Sequence, residues 1–186
     1  NAEIALDTRR ISVRTGENAF GNLTADAMRA AVEADVGFTN GGGIRGNRQY
    51  EPGHVITRRN VLEELPFGNG TVKLEVTGET IKKALEHGYA AAPEAAGSFL
   101  HISGMTATVD TSQPAGSRVM EVIVGDNPLD PAAPYTLATS DFLARGGGPS
   151  SRAALFRLVR LAVVVAVIVD DFAVVWQCID QFDHST

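Results

Sequence analysis

The apolar residues of this chain change their spacing along its length, and each change marks an element. Over residues 19–34, Phe20, Leu23, Ala27, Ala31 and Val32 recur at helical intervals, while Thr24, Asp26, Arg29 and Glu33 fall elsewhere. That pattern predicts an amphipathic helix with one buried stripe. The run Val36–Thr39 then predicts a strand. A short helix is expected near Arg58–Leu65, stopped by Pro66, because proline and the residue before it both disfavour helical backbone. Val72, Leu74 and Val76 alternate with Thr71, Lys73 and Glu75, the signature of a half-buried strand. Thr77 reads as the cap of a helix carrying Ile81, Ala84 and Leu85, with Gly88 just beyond its end. Strands follow at Met105–Val109, Val119–Val124 and Tyr135–Thr139, with a turn at Gly125-Asp126-Asn127-Pro128 between two of them. Helices and strands interleave early and strands dominate later, which predicts an α/β to α+β fold: a mixed β-sheet with packed helices.

The last forty or so residues behave differently. Leu161–Val169 is an unbroken apolar run, followed by Asp170-Asp171 and a second run, Phe172–Trp176. The first run falls well short of the roughly twenty residues that span a bilayer, so it predicts a buried strand and no membrane span. The length of 186 residues suits one domain with a sizeable core. The chain starts at Asn1 without a methionine or signal peptide, and the expectation is a piece of a longer protein. A net charge of -6 argues against a nucleic-acid partner, since phosphate backbones recruit basic surfaces. Only Lys73, Lys82 and Lys83 are lysines among 16 cationic side chains; arginine is the residue for fork-like contacts to phosphate, although a GC-rich genome produces the same bias. Cys178 is the single cysteine, which leaves no intrachain disulfide and no thiolate metal site.

Two loops carry the candidate chemistry. Asn40-Gly41-Gly42-Gly43-Ile44-Arg45 and Asp141-Phe142-Leu143-Ala144-Arg145-Gly146-Gly147 each follow a strand-like segment and each combine glycines with an arginine. Consecutive glycines let backbone approach a ligand and aim several N–H groups at an anion; a plain tight turn between strand and helix is the alternative. The loops lack the ending of a P-loop and the spacing of a dinucleotide fingerprint. Arg10 and Arg14 are spaced so that either a helical turn or an extended segment directs both to one side, or they are solvated surface charge. Phe67 and Asn69 follow a predicted helix end, either as core lid and turn former or as an aromatic platform with an amide beside it, which together hold a planar heterocycle. His54, His87, His101 and His184 show no metal-ligand spacing, no serine has a nucleophile-elbow context, and no carboxylate pair stands out. The residues favour binding over bond making, with no catalytic or metal-ligating residue assigned.

Taken in order, Arg10-xxx-Arg14, Gly21-Asn22-Leu23-xx-Asp26-Ala27, Asn40 to Arg45, Leu65-Pro66-Phe67-Gly68-Asn69, Tyr135-Thr136-Leu137-Ala138-Thr139 and Asp141 to Gly147 resemble the C-terminal domain of the bacterial-type 5'-nucleotidases, a family that includes UDP-sugar hydrolases and cyclic-nucleotide phosphodiesterase relatives. The resemblance covers roughly residues 5–147. It implies a nucleotide-binding, substrate-specificity domain that works with an N-terminal calcineurin-like metallophosphoesterase domain. That partner domain would hold two divalent metal ions and the catalytic set; this chain would hold no cofactor. The resemblance further implies that Phe67 and Phe142 sandwich the base, that Asn69 bonds its edge, that Arg10, Arg14 and Arg45 hold phosphate, and that Gly97 lines the pocket near the base. The ligand would be a nucleotide or nucleoside, and the location periplasmic, cell-surface or secreted.

The chain departs from the family at one place. Where the family continues as Gly-Gly-Asp-Gly-Tyr, with the aspartate accepting from the ribose hydroxyls, this sequence has Gly146-Gly147-Gly148-Pro149-Ser150. The domain reading is therefore residues 1–148, followed by a divergent apolar segment, 149–186. That segment is either the product of a reading-frame shift near Gly148 or a divergent C-terminus that completes the same domain. A non-catalytic or decayed nucleoside-binding module is the alternative function.

Overall fold

A computed structural model describes residues 2–147 and the backbone of Val165–Val169. Gly148, the run Phe172–Trp176, Cys178 and His184 lie outside the described residues, as does most of the 149–186 segment.

The centre of the fold is a five-stranded sheet. Its strands, in spatial order, are β10 (Val165–Val169), β4 (Thr71–Thr77), β9 (Pro134–Ser140), β2 (Val36–Asn40) and β5 (Leu100–Ser103). β2 and β9 run parallel, with Val36 opposite Leu137, and the other neighbours are antiparallel. The sheet is thus mixed, as the pattern of elements predicts. Two smaller sheets flank it: β1 (Leu6–Asp7) with β3 (Gln49–Tyr50), and β6 (Met105–Val109), β7 (Val119–Val124) and β8 (Asn127–Pro128). The described part of the apolar tail joins the edge of the main sheet, where Val165–Val169 pairs with β4 through an irregular register.

Alternation along the strands decides what covers each face. Val36, Phe38, Val72, Leu74, Val76, Leu100 and Leu137 share one cluster with Ile81, Ala84 and Leu85 of α4 (Gly78–Gly88). On the opposite face Ala138 packs with Met28 of α2 (Ala19–Ala31) and with Val32. A third cluster joins Phe20 and Ala27 of α2 to Val13 of α1 (Ser12–Thr15), to Val61 of α3 (Arg58–Glu64), and to Leu6, Ile44 and Tyr50.

Helix ends follow local chemistry. α2 stops earlier than the periodicity predicts, because Glu33 adopts φ 50° and its carbonyl accepts from Lys73 Nζ at 2.7 Å. The Thr57 hydroxyl accepts the Asn60 N–H at 3.3 Å, and Asn60 Oδ1 accepts the Thr57 N–H at 2.9 Å, a reciprocal cap at the start of α3. Thr77 caps α4 as expected, accepting from the Thr80 N–H at 3.3 Å, although Gly88 is the last helical residue rather than the first beyond. The predicted turn at residues 125–128 is shorter than expected: Gly125, at φ 59°, makes it with Asp126, and Asn127–Pro128 already pair as β8.

Leu85 is wholly buried between α4 and the sheet. Leu85→Ala is expected to lower unfolding free energy by about 2–5 kcal/mol. Exposed Lys82→Ala on the same helix should stay within about 0.5 kcal/mol. Urea denaturation of the two variants checks this.

Candidate functional site

The site forms at the end of β2, where the chain enters the glycine loop. Gly41 N–H donates to the Phe99 carbonyl at 2.8 Å, Gly42 N–H to the Gly97 carbonyl at 2.9 Å and Gly43 N–H to the Asn40 carbonyl at 2.9 Å. These N–H groups are committed within the protein, so the loop is not the anion cradle that three glycines suggest. The glycines serve close approach instead. A Cβ on Gly41 would overlap the Val13 carbonyl, and one on Gly42 would lie 2.8 Å from the Gly97 oxygen. Asn40 Nδ2 adds a bond to the same Gly97 carbonyl at 2.7 Å. Three segments separated in sequence meet here: α1, the glycine loop and residues 96–99.

Anion recognition therefore falls to side chains. Arg14 comes from α1, whose main chain is pinned twice. His101 Nε2 donates to the Val13 carbonyl at 3.0 Å, and the Arg14 carbonyl accepts the Ala96 N–H at 3.0 Å. Burial, and then the charges of Arg10 and Arg45, hold the Arg14 guanidinium below the usual arginine range. Its buried Nε has no hydrogen-bond partner among the described residues. Arg45 lies with its guanidinium carbon 5.4 Å from the Phe67 ring centroid, a cation–π arrangement. Arg10 is exposed and is not part of the cavity wall; its N–H donates to Asn47 Oδ1 at 2.9 Å, and it acts on Arg14 through its charge.

A cavity of about 720 Å³ opens beside these arginines. Arg14, Gly42, Gly43 and Arg45 line it, and so do Phe67, Asn69, Phe142 and Gly97. Phe67 is 57% exposed and Phe142 41%, so neither is a core lid and both rings are open to a ligand. Phe142 sits on α5 (Asp141–Ala144), whose start is capped by Ser140 accepting the Leu143 N–H at 3.2 Å. The second glycine loop differs from expectation: Arg145 pairs with Asp141 at 2.7 Å and is not in the wall. That loop contributes Phe142, Leu143, Gly146 and Gly147, the last two at φ 97° and 65°, where a side chain would be strained.

The structure thus gathers Arg14, Arg45, Phe67, Asn69, Gly97 and Phe142 around one cavity and leaves Arg10 behind it. It also adds His87, Ser98, Ala84 and Leu100 to the wall. His87 occupies the last turn of α4; its position was readable from the helix, but nothing in the pattern said which end faces a cavity. Among the described residues no three His, Cys, Asp or Glu side chains gather to hold a metal ion.

This is a mixed-sheet domain with a cavity lined by arginine and phenylalanine side chains. The chain belongs to the family of 5'-nucleotidase C-terminal domains, whose model matches residues 2–153. It is 37% identical over 154 residues to the trifunctional nucleotide phosphoesterase protein YfkN of Bacillus subtilis (strain 168), a match covering 78% of this chain and 10% of that protein. It is 32% identical over 162 residues to the 5'-nucleotidase of Homo sapiens, covering 77% of this chain and 28% of that one. Among solved structures, the 5'-nucleotidase precursor from Thermus thermophilus superposes with a TM-score of 0.84 at 34% identity, covering 97% of this chain and 36% of that one. The chain therefore spans a minor part of each relative's length. Among the described residues no helix is long and apolar enough to cross a membrane.

His101 gives the site a pH dependence. Burial pushes its pKa below the usual 6.5, against the opposing effects of the Val13 carbonyl and Glu17. The unfolded chain therefore takes up the proton first, so stability is flat above about pH 6.5 and falls as the pH drops below it. Denaturation midpoints measured from pH 8 to pH 5 should show that decline, and His101→Gln, whose amide can still reach Val13, should flatten it.

Proposed function

We propose that this chain is the nucleotide-binding, substrate-specificity domain of a metal-dependent phosphohydrolase of the 5'-nucleotidase type, which cleaves nucleotide phosphate esters. Two divalent metal ions, which would supply an activated water and charge neutralisation at phosphorus, belong in this reading to an N-terminal metallophosphoesterase domain outside these residues. No step of the reaction is carried by the residues described here, which bind and orient. The base lies between Phe67 and Phe142 with Asn69 at its edge and Gly97 beside it. Arg14 and Arg45 take the phosphate, and Arg10 adds to their field. The proposed location is periplasmic, cell-surface or secreted.

The observation that carries this reading is one cavity joining a buried Arg14 Nε, without a hydrogen-bond partner among the described residues, to two open phenylalanine rings from distant segments. Stacking contributes about 1–3 kcal/mol per base–ring contact. Gly148 stands where the family has the ribose-binding aspartate, and the charge-assisted bond it cannot make is worth about 1.5–3 kcal/mol, roughly ten- to a hundredfold in affinity. Two ring faces and two arginines outweigh that deficit. The same Gly148 favours a second reading, a non-catalytic or decayed nucleoside-binding module.

Calorimetric titration of the chain with adenosine and AMP separates the outcomes. Saturable binding of both, abolished by Phe142→Ala, is expected, with AMP binding about tenfold tighter through its phosphate. Arg14→Ala should remove that advantage and leave adenosine binding intact. No binding by a folded chain would sink the proposal. Saturable binding of adenosine with no advantage for AMP would favour the module. Manganese added to the chain with AMP should release no phosphate; release would show that catalysis does not depend on another domain.

A further inference from the structure

Glu64 stands outside the cavity wall, yet it occupies a costly place. It is the last residue of α3 and wholly buried, where the helix's own carbonyls already present negative partial charge. A carboxylate there is disfavoured both by loss of water and by the helix dipole. Three donors offset this: Tyr50 O–H at 2.8 Å, Gly46 N–H at 2.9 Å and Arg48 Nε at 3.7 Å. The main-chain carbonyl of the same residue accepts the Arg45 N–H at 2.8 Å. Glu64 thus takes the consecutive N–H groups of Arg45 and Gly46, one with its backbone oxygen and one with its side chain. The approach is so close that a Cβ on Gly46 would overlap the carboxylate.

Leu65 and Pro66 then lead straight to Phe67, whose ring meets the Arg45 guanidinium at 5.4 Å. One residue therefore ties the arginine side of the cavity to the aromatic side. Stability alone does not account for the choice, because well-packed apolar residues in place of a buried charge pair are often neutral or stabilising. An apolar residue could not accept the Gly46 N–H.

We propose that Glu64 is a positioning residue that fixes the spacing between Arg45 and Phe67, so that phosphate and base of one nucleotide are gripped together. The inference rests on the nucleotide-binding reading above. The full 186-residue chain is titrated calorimetrically with adenosine and with AMP, as wild type and as Glu64→Ala, Glu64→Gln, Gly46→Ala, Arg45→Ala and the Arg45→Ala/Glu64→Ala pair. Glu64→Ala and Gly46→Ala are expected to reduce the preference for AMP over adenosine by about tenfold. Glu64→Gln, which keeps an acceptor for the Gly46 N–H, should restore that preference. Arg45→Ala should cost less AMP affinity in the Glu64→Ala background than in wild type. Folded variants with the wild-type AMP-to-adenosine ratio, or additive losses in the pair, would overturn the proposal and leave Glu64 a purely structural residue. If Glu64→Ala does not fold, the ratio in Gly46→Ala decides. A folded wild type that binds neither ligand would overturn the nucleotide reading itself, and this inference with it.

Discussion

The site depends on the backbone-to-backbone approach at Gly41 and Gly42. The Val13 carbonyl and Gly97 come so near the glycine loop that hydrogen is the only substituent tolerated there. Bonds from Gly41 to Phe99 and from Gly42 to Gly97 hold the approach, and His101 holds α1 from the other side through Val13. A side chain at Gly41 would push against α1 and Arg14, and one at Gly42 against Gly97. The main chain that carries this cation is held by the junction, and among the described residues the Arg14 Nε has no hydrogen-bond partner.

Other arginines among the described residues are met by opposite charge. Arg9 pairs with Asp7 at 2.7 Å and Arg48 with Glu63 at 2.9 Å, and the Arg9 hydrogen bond holds the Asp7 carboxyl far below the usual carboxylate range. Around Arg14 the neighbours that act on its charge are Arg10 and Arg45. Like charges brought together and partly desolvated destabilise the free fold, and an anion bound among them relieves the repulsion. An anion that bound there would therefore raise stability through the same guanidinium groups.

Much of this was legible in the chain. β4 follows directly from alternation and α4 from Thr77 and its apolar stripe, because in both cases burial of one face dominates the local choice, and β6 and β7 lie where strands are expected. β5 was not legible: Leu100–Ser103 carries His101 and Ser103 at buried positions, and buried polar side chains erase the apolar pattern. α1 and α5 have four residues each, too few for any period to register. At the site, the residue types of Arg45, Phe67 and Asn69 suggest an anion and a planar ring, while Phe142 as the second ring comes from the family resemblance alone. The glycine loop misled in its details because sequence says that backbone can come close, not what it comes close to. Arg145 misled likewise, since its partner Asp141 lies only one helical turn away. Glu64 gave no sign, as a carboxylate beside Glu63 at a helix end looks like ordinary surface.

The parallel pairing of β2 with β9 has a consequence for how the molecule comes into being. Val36 must wait for Leu137, and everything between them has to be made first. On a ribosome adding roughly 5–20 residues per second, that wait is on the order of five to twenty seconds. By its end the glycine loop, Arg45 and Phe67 are synthesised while Phe142 is not. The cavity's two walls are therefore separated in time as well as in sequence, and a nascent chain acquires its aromatic pair in one late step.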